Sequence, residues 1–549
     1  MVNFFLQVIW IIKNKKVYFC TVSHLHAILI VVLLPFSVFS QEPMVSCGRW
    51  YVSCDSVYGI GLRGILESPQ FPPPLLSQKS VIVAVVDSGF DFTHPELQGR
   101  VWHNAGEIPA NGIDDDRNGY TDDVHGWNFL GNADGKSIRN AGAGRFREYK
   151  RLRPRYKDSD TCRLKRRQQA EFAYYKRMER ESGADSYLLY EKELEHLVRA
   201  FVRCDSLMVR RYGDRELFAA DFFCMETEDT VGLTQDIRLV ESDPMMQDRD
   251  ASWTQVVMQV KAEYAEVLKK IAAWDCNDMD AHFALGNDPT DFRNLRYGNN
   301  NLHVGAYHGT MVAGMVAACT AVPGWCDRIK IMGIRAVPEG DEYDRDIVAA
   351  IRYAVDNGAK VINMSFGKYI SPYRKQVRKA VRYALRKDVL LVMAAGNNSL
   401  NIDSIPIYPS AEKRAGKRFG NMVVVGATDR RGRICRFSNY GSRAVDLFAP
   451  GVDILSTAPD GKYGKGEGTS ISAPMVAGVA GLMRAIRPEL TAVQIRDILL
   501  ASVRELGDVE TSLPGDDRVT VRTGDLCLSH GMLDARAALK MLEKRKIVR

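Results

Sequence analysis

Six successive apolar positions, Val81-Ile82-Val83-Ala84-Val85-Val86, four of them valine, predict a short strand covered on both faces, as in a parallel sheet. The run ends in Asp87-Ser88-Gly89, so Asp87 is expected at the carboxyl end of that strand. Runs of the same kind recur at 329–337, 360–364, 389–395 and 421–427, with helical patterns at 346–356 and 371–386 between them. Strands alternating with helices predict an α/β fold built on a doubly wound, mostly parallel sheet. In such sheets reactive groups collect at the carboxyl ends of the strands.

The pattern changes between about 133 and 300, where long charged helices are expected and no buried strand is visible. Leu188, Leu189, Leu194, Leu197, Val198 and Phe201 fall near helical spacing, as do Val256, Val260, Tyr264, Val267, Leu268 and Ile271. The expected organisation is therefore a body at 81–132 and 301–545, interrupted by a charged helical subdomain at 133–300. Residues 41–80, with Pro72-Pro73-Pro74, read as an extended lead-in.

At the amino terminus Lys13, Lys15 and Lys16 precede the apolar stretch 27–39, the pattern of a signal peptide cleaved near Ser40. Export to the periplasm or the medium is the expectation. The stretch is shorter than the roughly 18–20 residues a bilayer span needs, so no stable membrane span is expected after cleavage; an uncleaved anchor is the alternative. Ten cysteines would remain, a number that permits disulfides in an exported chain, with Cys47–Cys54 and Cys319–Cys326 the easiest loops to close. The net charge of +7 over 549 residues is a small surplus of 74 basic over 67 acidic side chains and points to no nucleic-acid partner. Residues 145–167 do hold eleven Lys or Arg against three acidic residues, which reads first as a solvated helix face.

Amide hydrolysis needs a strengthened nucleophile, a base, and donors for the oxyanion. Three islands supply such groups: Val85-Val86-Asp87-Ser88-Gly89; His308-Gly309-Thr310-Met311-Val312-Ala313-Gly314; and Gly468-Thr469-Ser470-Ile471-Ser472-Ala473-Pro474-Met475-Val476-Ala477-Gly478. Ser470 is expected to open a helix, with Pro474 confined to its first turn, which places the hydroxyl at a positive helix end. In the order Asp, His, Ser these islands resemble the subtilase family, for which that order is known. The resemblance implies a serine endopeptidase acting through an acyl-enzyme, with Ser470 as nucleophile, His308 as general base and Asp87 orienting the imidazole. Protein or peptide substrates are its implied partners, and no catalytic cofactor is needed. A subtilisin fold that has lost catalysis and serves as a binding scaffold is the rival reading.

In the same family an asparagine side chain serves the oxyanion, which singles out Asn397 in Ala394-Ala395-Gly396-Asn397-Asn398, with Asn398 as competitor. An extended substrate is expected to lie against Ser365, Phe366 and Gly367, which follow the apolar run 361–364, through backbone pairing, and the resemblance makes this segment one wall of the primary specificity pocket. The segment 114–123 alternates carboxylates with a turn glycine, and Asp114, Asp116, Asn118 and Asp122 are candidate ligands for a structural calcium ion. His125 stands where an EF-hand would need glutamate, so the loop is not of that type. Some forty residues between Ser40 and Val81 are too few for a folded prosegment, which leaves the helical segment to cover the site or assist folding, or neither.

Overall fold

Strand β1 (Val81–Asp87) alternates its side chains between two cores. Val83 and Val85 enter one hydrophobic cluster and Ala84 and Val86 the other, all four with no exposed surface. Burial on both faces is why the strand carries no polar residue before Asp87, each valine contributing about 1.5–3 kcal/mol on leaving water. The computed structural model describes residues 50–53, 58–63, 80–213, 215–224, 234–275, 280–317, 328–414 and 416–544, which belong to a single unit running from Trp50 onward.

The other sheet strands are β2 (Gly126–Asn128), β3 (Ile329–Arg335), β4 (Val361–Met364), β5 (Leu390–Ala394), β6 (Met422–Thr428), β7 (Leu447–Pro450), β8 (Arg504–Glu505) and β9 (Gly531–Met532). Their spatial order is β8-β9-β7-β6-β5-β4-β1-β3-β2. All neighbours are parallel except the outermost pair, β8 with β9. The doubly wound α/β sheet expected from the apolar runs is present, and the five strands those runs predicted, β1, β3, β4, β5 and β6, lie within two residues of their expected limits.

Helices α5 (Ala306–Ala317) and α8 (Thr469–Ile486) pack on the Val83 face with α9 (Ala492–Ala501) and α10 (Ala535–Lys544). On the opposite face lie α6 (Asp344–Asp356) and α7 (Arg374–Arg386). The helix α8 is long and apolar enough to cross a membrane, but 94% of its apolar window is buried in the protein core. Pro474 is the sixth residue of α8, not part of its first turn as expected, and its missing N–H leaves the Ser470 carbonyl without an intrahelical donor. Ser365 Oγ takes that place, donating to Ser470 O at 2.7 Å.

Between β2 and α5 the chain forms α1 (Gly144–Tyr156), α2 (Arg166–Ser182), α3 (Ala184–Tyr212) and α4 (Trp253–Asp275), with shorter helices at Ala219–Phe223, Thr234–Glu241 and Ala281–Ala284. Phe201, Cys204, Met208, Phe222, Trp253, Val256 and Val260 give these helices a core of their own. Tyr149, Leu152, Tyr156, Tyr175 and Met178 close a second cluster around Ile370.

Cys162, Cys204, Cys224, Cys435 and Cys527 are free thiols. The pairs Cys47–Cys54 and Cys319–Cys326, together with Cys276, the signal segment and Pro72-Pro73-Pro74, lie outside the described residues.

Candidate active site

Three sheet strands and two helix starts deliver the groups singled out above to one end of the sheet. Asp87 is the last residue of β1, and His308 is the third residue of α5, on the helix packed against that strand. Contact between them depends on Gly309, because a Cβ there would stand 2.0 Å from the carbonyl oxygen of Gly89. The helix therefore reaches the turn after Asp87 backbone to backbone. His308 Nδ1 lies 2.7 Å from Asp87 Oδ1 across 221 positions of sequence.

The carboxylate is sealed and the imidazole is open: the Asp87 side chain is 1% exposed and that of His308 42%. Asp87 Oδ1 also accepts from Ser88 N at 2.7 Å, while its Oδ2 is buried without a partner. The negative charge of Asp87 raises the imidazole pKa above its ordinary value near 6.5, against the opposing effect of burial and with help from the hydrogen bond. Nδ1 must carry the proton in this contact with a carboxylate, which leaves Nε2 as the free lone pair.

Ser470 is the second residue of α8, where backbone N–H groups have no intrahelical acceptor and the helix end favours negative charge. Among the described residues its Oγ forms no hydrogen bond with His308. Asn397 follows the end of β5, and its Oδ1 accepts from Thr469 N and Thr469 Oγ1, both at 2.9 Å. A backbone N–H can only donate, so the atom facing Thr469 is oxygen and the amide nitrogen must point the other way. That nitrogen and Ser470 Oγ converge on Gly468: a Cβ there would lie 3.1 Å from Asn397 Nδ2 and 3.2 Å from Ser470 Oγ. Gly468 has φ +126°, a conformation that residues with a Cβ rarely adopt. Asn398, the competitor, instead accepts from Tyr369 OH at 2.8 Å through its Oδ1.

Ser365, Phe366 and Gly367 continue from the end of β4. Ser365 is tied to Asn363 Nδ2 and Ser470 O, and Phe366 is buried. Gly367 packs its α-carbon on Ile407 and Met393, where a Cβ would stand 2.6 Å from Ile407 Cδ1. The backbone N–H and C=O groups of Ser365 and Gly367 have no hydrogen-bond partner among the described residues, which leaves them open just beyond the end of β4.

In the acidic loop, carboxylate oxygens of Asp114, Asp116 and Glu107 lie within 4.8 Å of one another. Glu107 is a member that the alternating pattern at 114–123 did not reveal, because it precedes the loop by seven residues. Asn118 donates its amide to Asp116 Oδ2 and Asp123 Oδ2, both at 3.1 Å. Asp122 turns away from the group: its two oxygens accept from Asn111 N at 3.1 Å and Gly112 N at 2.9 Å. Beneath the loop Asp123 is fully buried, which pushes its pKa up to about 6 despite hydrogen bonds from Tyr353, Asn104 and Asn118.

A parallel sheet with an aspartate at one strand end, a histidine and a serine at two helix starts, and an asparagine amide facing that serine defines an α/β protein whose candidate site lies at one end of the sheet. The chain belongs to the subtilase family: the profile of the Subtilase family matches residues 78–519. It is 40% identical over 181 residues to the thermophilic serine proteinase of Bacillus sp. (strain AK1), covering 32% of this chain and 42% of that one. It is 34% identical over 215 residues to alkaline elastase YaB of Bacillus sp. (strain YaB), covering 38% and 53%. The chain thus spans about half the length of these relatives. Among solved structures it is similar to a cold adapted subtilisin-like serine proteinase, at 29% identity over 42% of this chain and 77% of that one, with a TM-score of 0.33 that marks a loose superposition.

Proposed function

We propose that this protein is a serine endopeptidase that cuts peptide bonds through an acyl-enzyme, with Ser470 as nucleophile. His308 Nε2 takes the Ser470 proton as Oγ attacks the carbonyl carbon, and returns it to the leaving amine; water then repeats the cycle on the ester. Ionised Asp87 holds the imidazole by Nδ1 and stabilises the cation that forms. The oxyanion is received by Asn397 Nδ2 and Ser470 N–H. Substrate lies extended along the open backbone of Ser365 and Gly367, fixed by backbone pairing, with Phe366 forming part of the wall beneath it. The single observation that supports this reading best is the 2.7 Å contact between His308 Nδ1 and Asp87 Oδ1 in a chain of the subtilase family. Labelling by a fluorophosphonate that disappears in Ser470→Ala tests it. A wild-type protein that is never labelled and cleaves no peptide between neutral and alkaline pH would refute it.

Three further parts belong to the proposal. A calcium ion is held by Glu107, Asp114 and Asp116, whose clustered carboxylates suit a hard cation, and braces the loop rather than taking part in the chemistry. The helices at 144–275 form an inserted subdomain that covers the site or assists folding; deletion of 140–295 that leaves folding and activity normal would remove both roles. The protein works outside the cytoplasm after loss of residues 1–40, which amino-terminal sequencing of the mature chain tests.

A further inference from the structure

Arg335 ends β3 opposite Asp87 in the parallel register and is 1% exposed. No carboxylate lies within ion-pair distance of it among the described residues. Its guanidinium faces a cage of oxygens instead. Nε–H donates to both Ser88 O at 2.7 Å and Val304 O at 2.8 Å, Nη1 donates to Asn128 Oδ1 at 3.0 Å, and Nη2 to Ile138 O at 2.6 Å. Burial lowers its pKa to about 10, which still leaves it charged at neutral pH. The charge of Asp346 acts on it only from beyond contact, and a buried cation with no carboxylate in contact is costly and persists only where several dipoles are aimed at it.

The positions of those dipoles are informative. Ser88 follows Asp87, and Val304 stands four residues before His308, in the segment turning into α5. One Nε–H shared between their carbonyls sets the separation of the two segments. Ser88 Oγ donating to Gly305 O at 2.8 Å is a second, weaker tie between them. Ile138, the Nη2 acceptor, lies six residues before α1, where the chain leaves the sheet for the helical region. We propose that Arg335 is a positioning residue for catalysis: its forked guanidinium holds Asp87 and His308 in contact and ties that contact to the root of the helical region. This inference rests on the peptidase reading above. A lysine could keep the charge but cannot reach four oxygens in one plane.

The test uses Arg335→Lys and Arg335→Met in the full chain, with kcat, KM, the pH profile and the thermal midpoint measured together. The imidazole titration of His308 is also followed by NMR in a Ser470→Ala background, a readout that needs no activity. Both variants are expected to lose about 10–100-fold in kcat with KM nearly unchanged, the effect of misplacing a base by a fraction of an ångström to an ångström. The His308 titration should move down toward about 6.5 as the Asp87 contact loosens. A fall in thermal midpoint alone, with kcat and the titration unchanged well below it, overturns the proposal; so does full rescue by lysine. Should both variants fail to fold, Asn128→Ala removes the Nη1 acceptor and is expected to shift the titration in the same direction by less, an unchanged titration counting against the proposal. If the parent enzyme proves inactive, the peptidase reading falls while the titration still decides whether Arg335 positions His308.

Discussion

The hydroxyl of Ser365 donates to the backbone carbonyl of Ser470 at 2.7 Å. Proline at position 474 leaves that carbonyl without its helical N–H, so one residue of the proposed substrate edge holds the residue that carries the nucleophile. Ser365→Ala is expected to lower kcat/KM by about five- to tenfold, the worth of about 1–1.5 kcal/mol for a hydrogen bond to a partner left buried and unpaired. Steady-state kinetics on a peptide substrate check this.

Asn397 and Asn398 are separable by substitution. Asn397→Ala is expected to lower turnover by about 100- to 1000-fold, the range known for loss of an oxyanion donor in subtilisin, a member of the same family. Asn398→Ala, which removes an acceptor of Tyr369 OH, should cost less than about tenfold. Equal losses in both variants would argue against the assignment.

The pH dependence follows from the charge of Asp87. Because Asp87 raises the His308 pKa above about 6.5, the neutral base is lost as pH falls through that raised value, and kcat/KM should decline on the acid side there. Asp87→Asn removes the charge: the acid limb should move to lower pH while turnover falls by about 10⁴-fold, the tautomer no longer being held. The same shift contributes stability to the wild type that is fully present below about 6.5 and is lost as pH rises through the raised value. A pH series of activity and thermal midpoints for both proteins checks these signs.

Calcium should raise the thermal midpoint of the wild type, and a chelator should lower it. Glu107→Gln is expected to blunt that response, because its carboxylate stands within the cluster of Asp114 and Asp116. Asp122→Asn should instead destabilise with and without calcium alike, since its oxygens cap the amides of Asn111 and Gly112. Differential scanning calorimetry with and without calcium distinguishes the two.

Gly309→Ala places a methyl group 2.0 Å from the Gly89 carbonyl, where only backbone movement relieves the clash. A loss of about 1–3 kcal/mol in stability is expected, together with slowed fluorophosphonate labelling, because the helix carrying His308 must back away from Asp87. Labelling rates measured well below the thermal midpoint separate the second effect from the first.

Sequence alone determined the strand-and-helix alternation and the placement of Asp87 at a strand end, and it singled out the carboxylate, imidazole and hydroxyl proposed for the chemistry, because each rests on local pattern: runs buried on two faces, or short motifs around a glycine turn. The helical break between β2 and α5 was visible for the same reason. What only the tertiary structure decided were relations between distant segments. The union of Asp87 with His308, the different partners of Asn397 and Asn398, the departure of Asp122 from the carboxylate group and the arrival of Glu107, and the oxygen cage of Arg335 all depend on which atoms face one another after folding. Hydrogen bonding is directional and short-ranged, so a polar residue's role is set by partners that linear spacing does not specify, whereas burial of apolar side chains is non-directional and leaves its period in the chain.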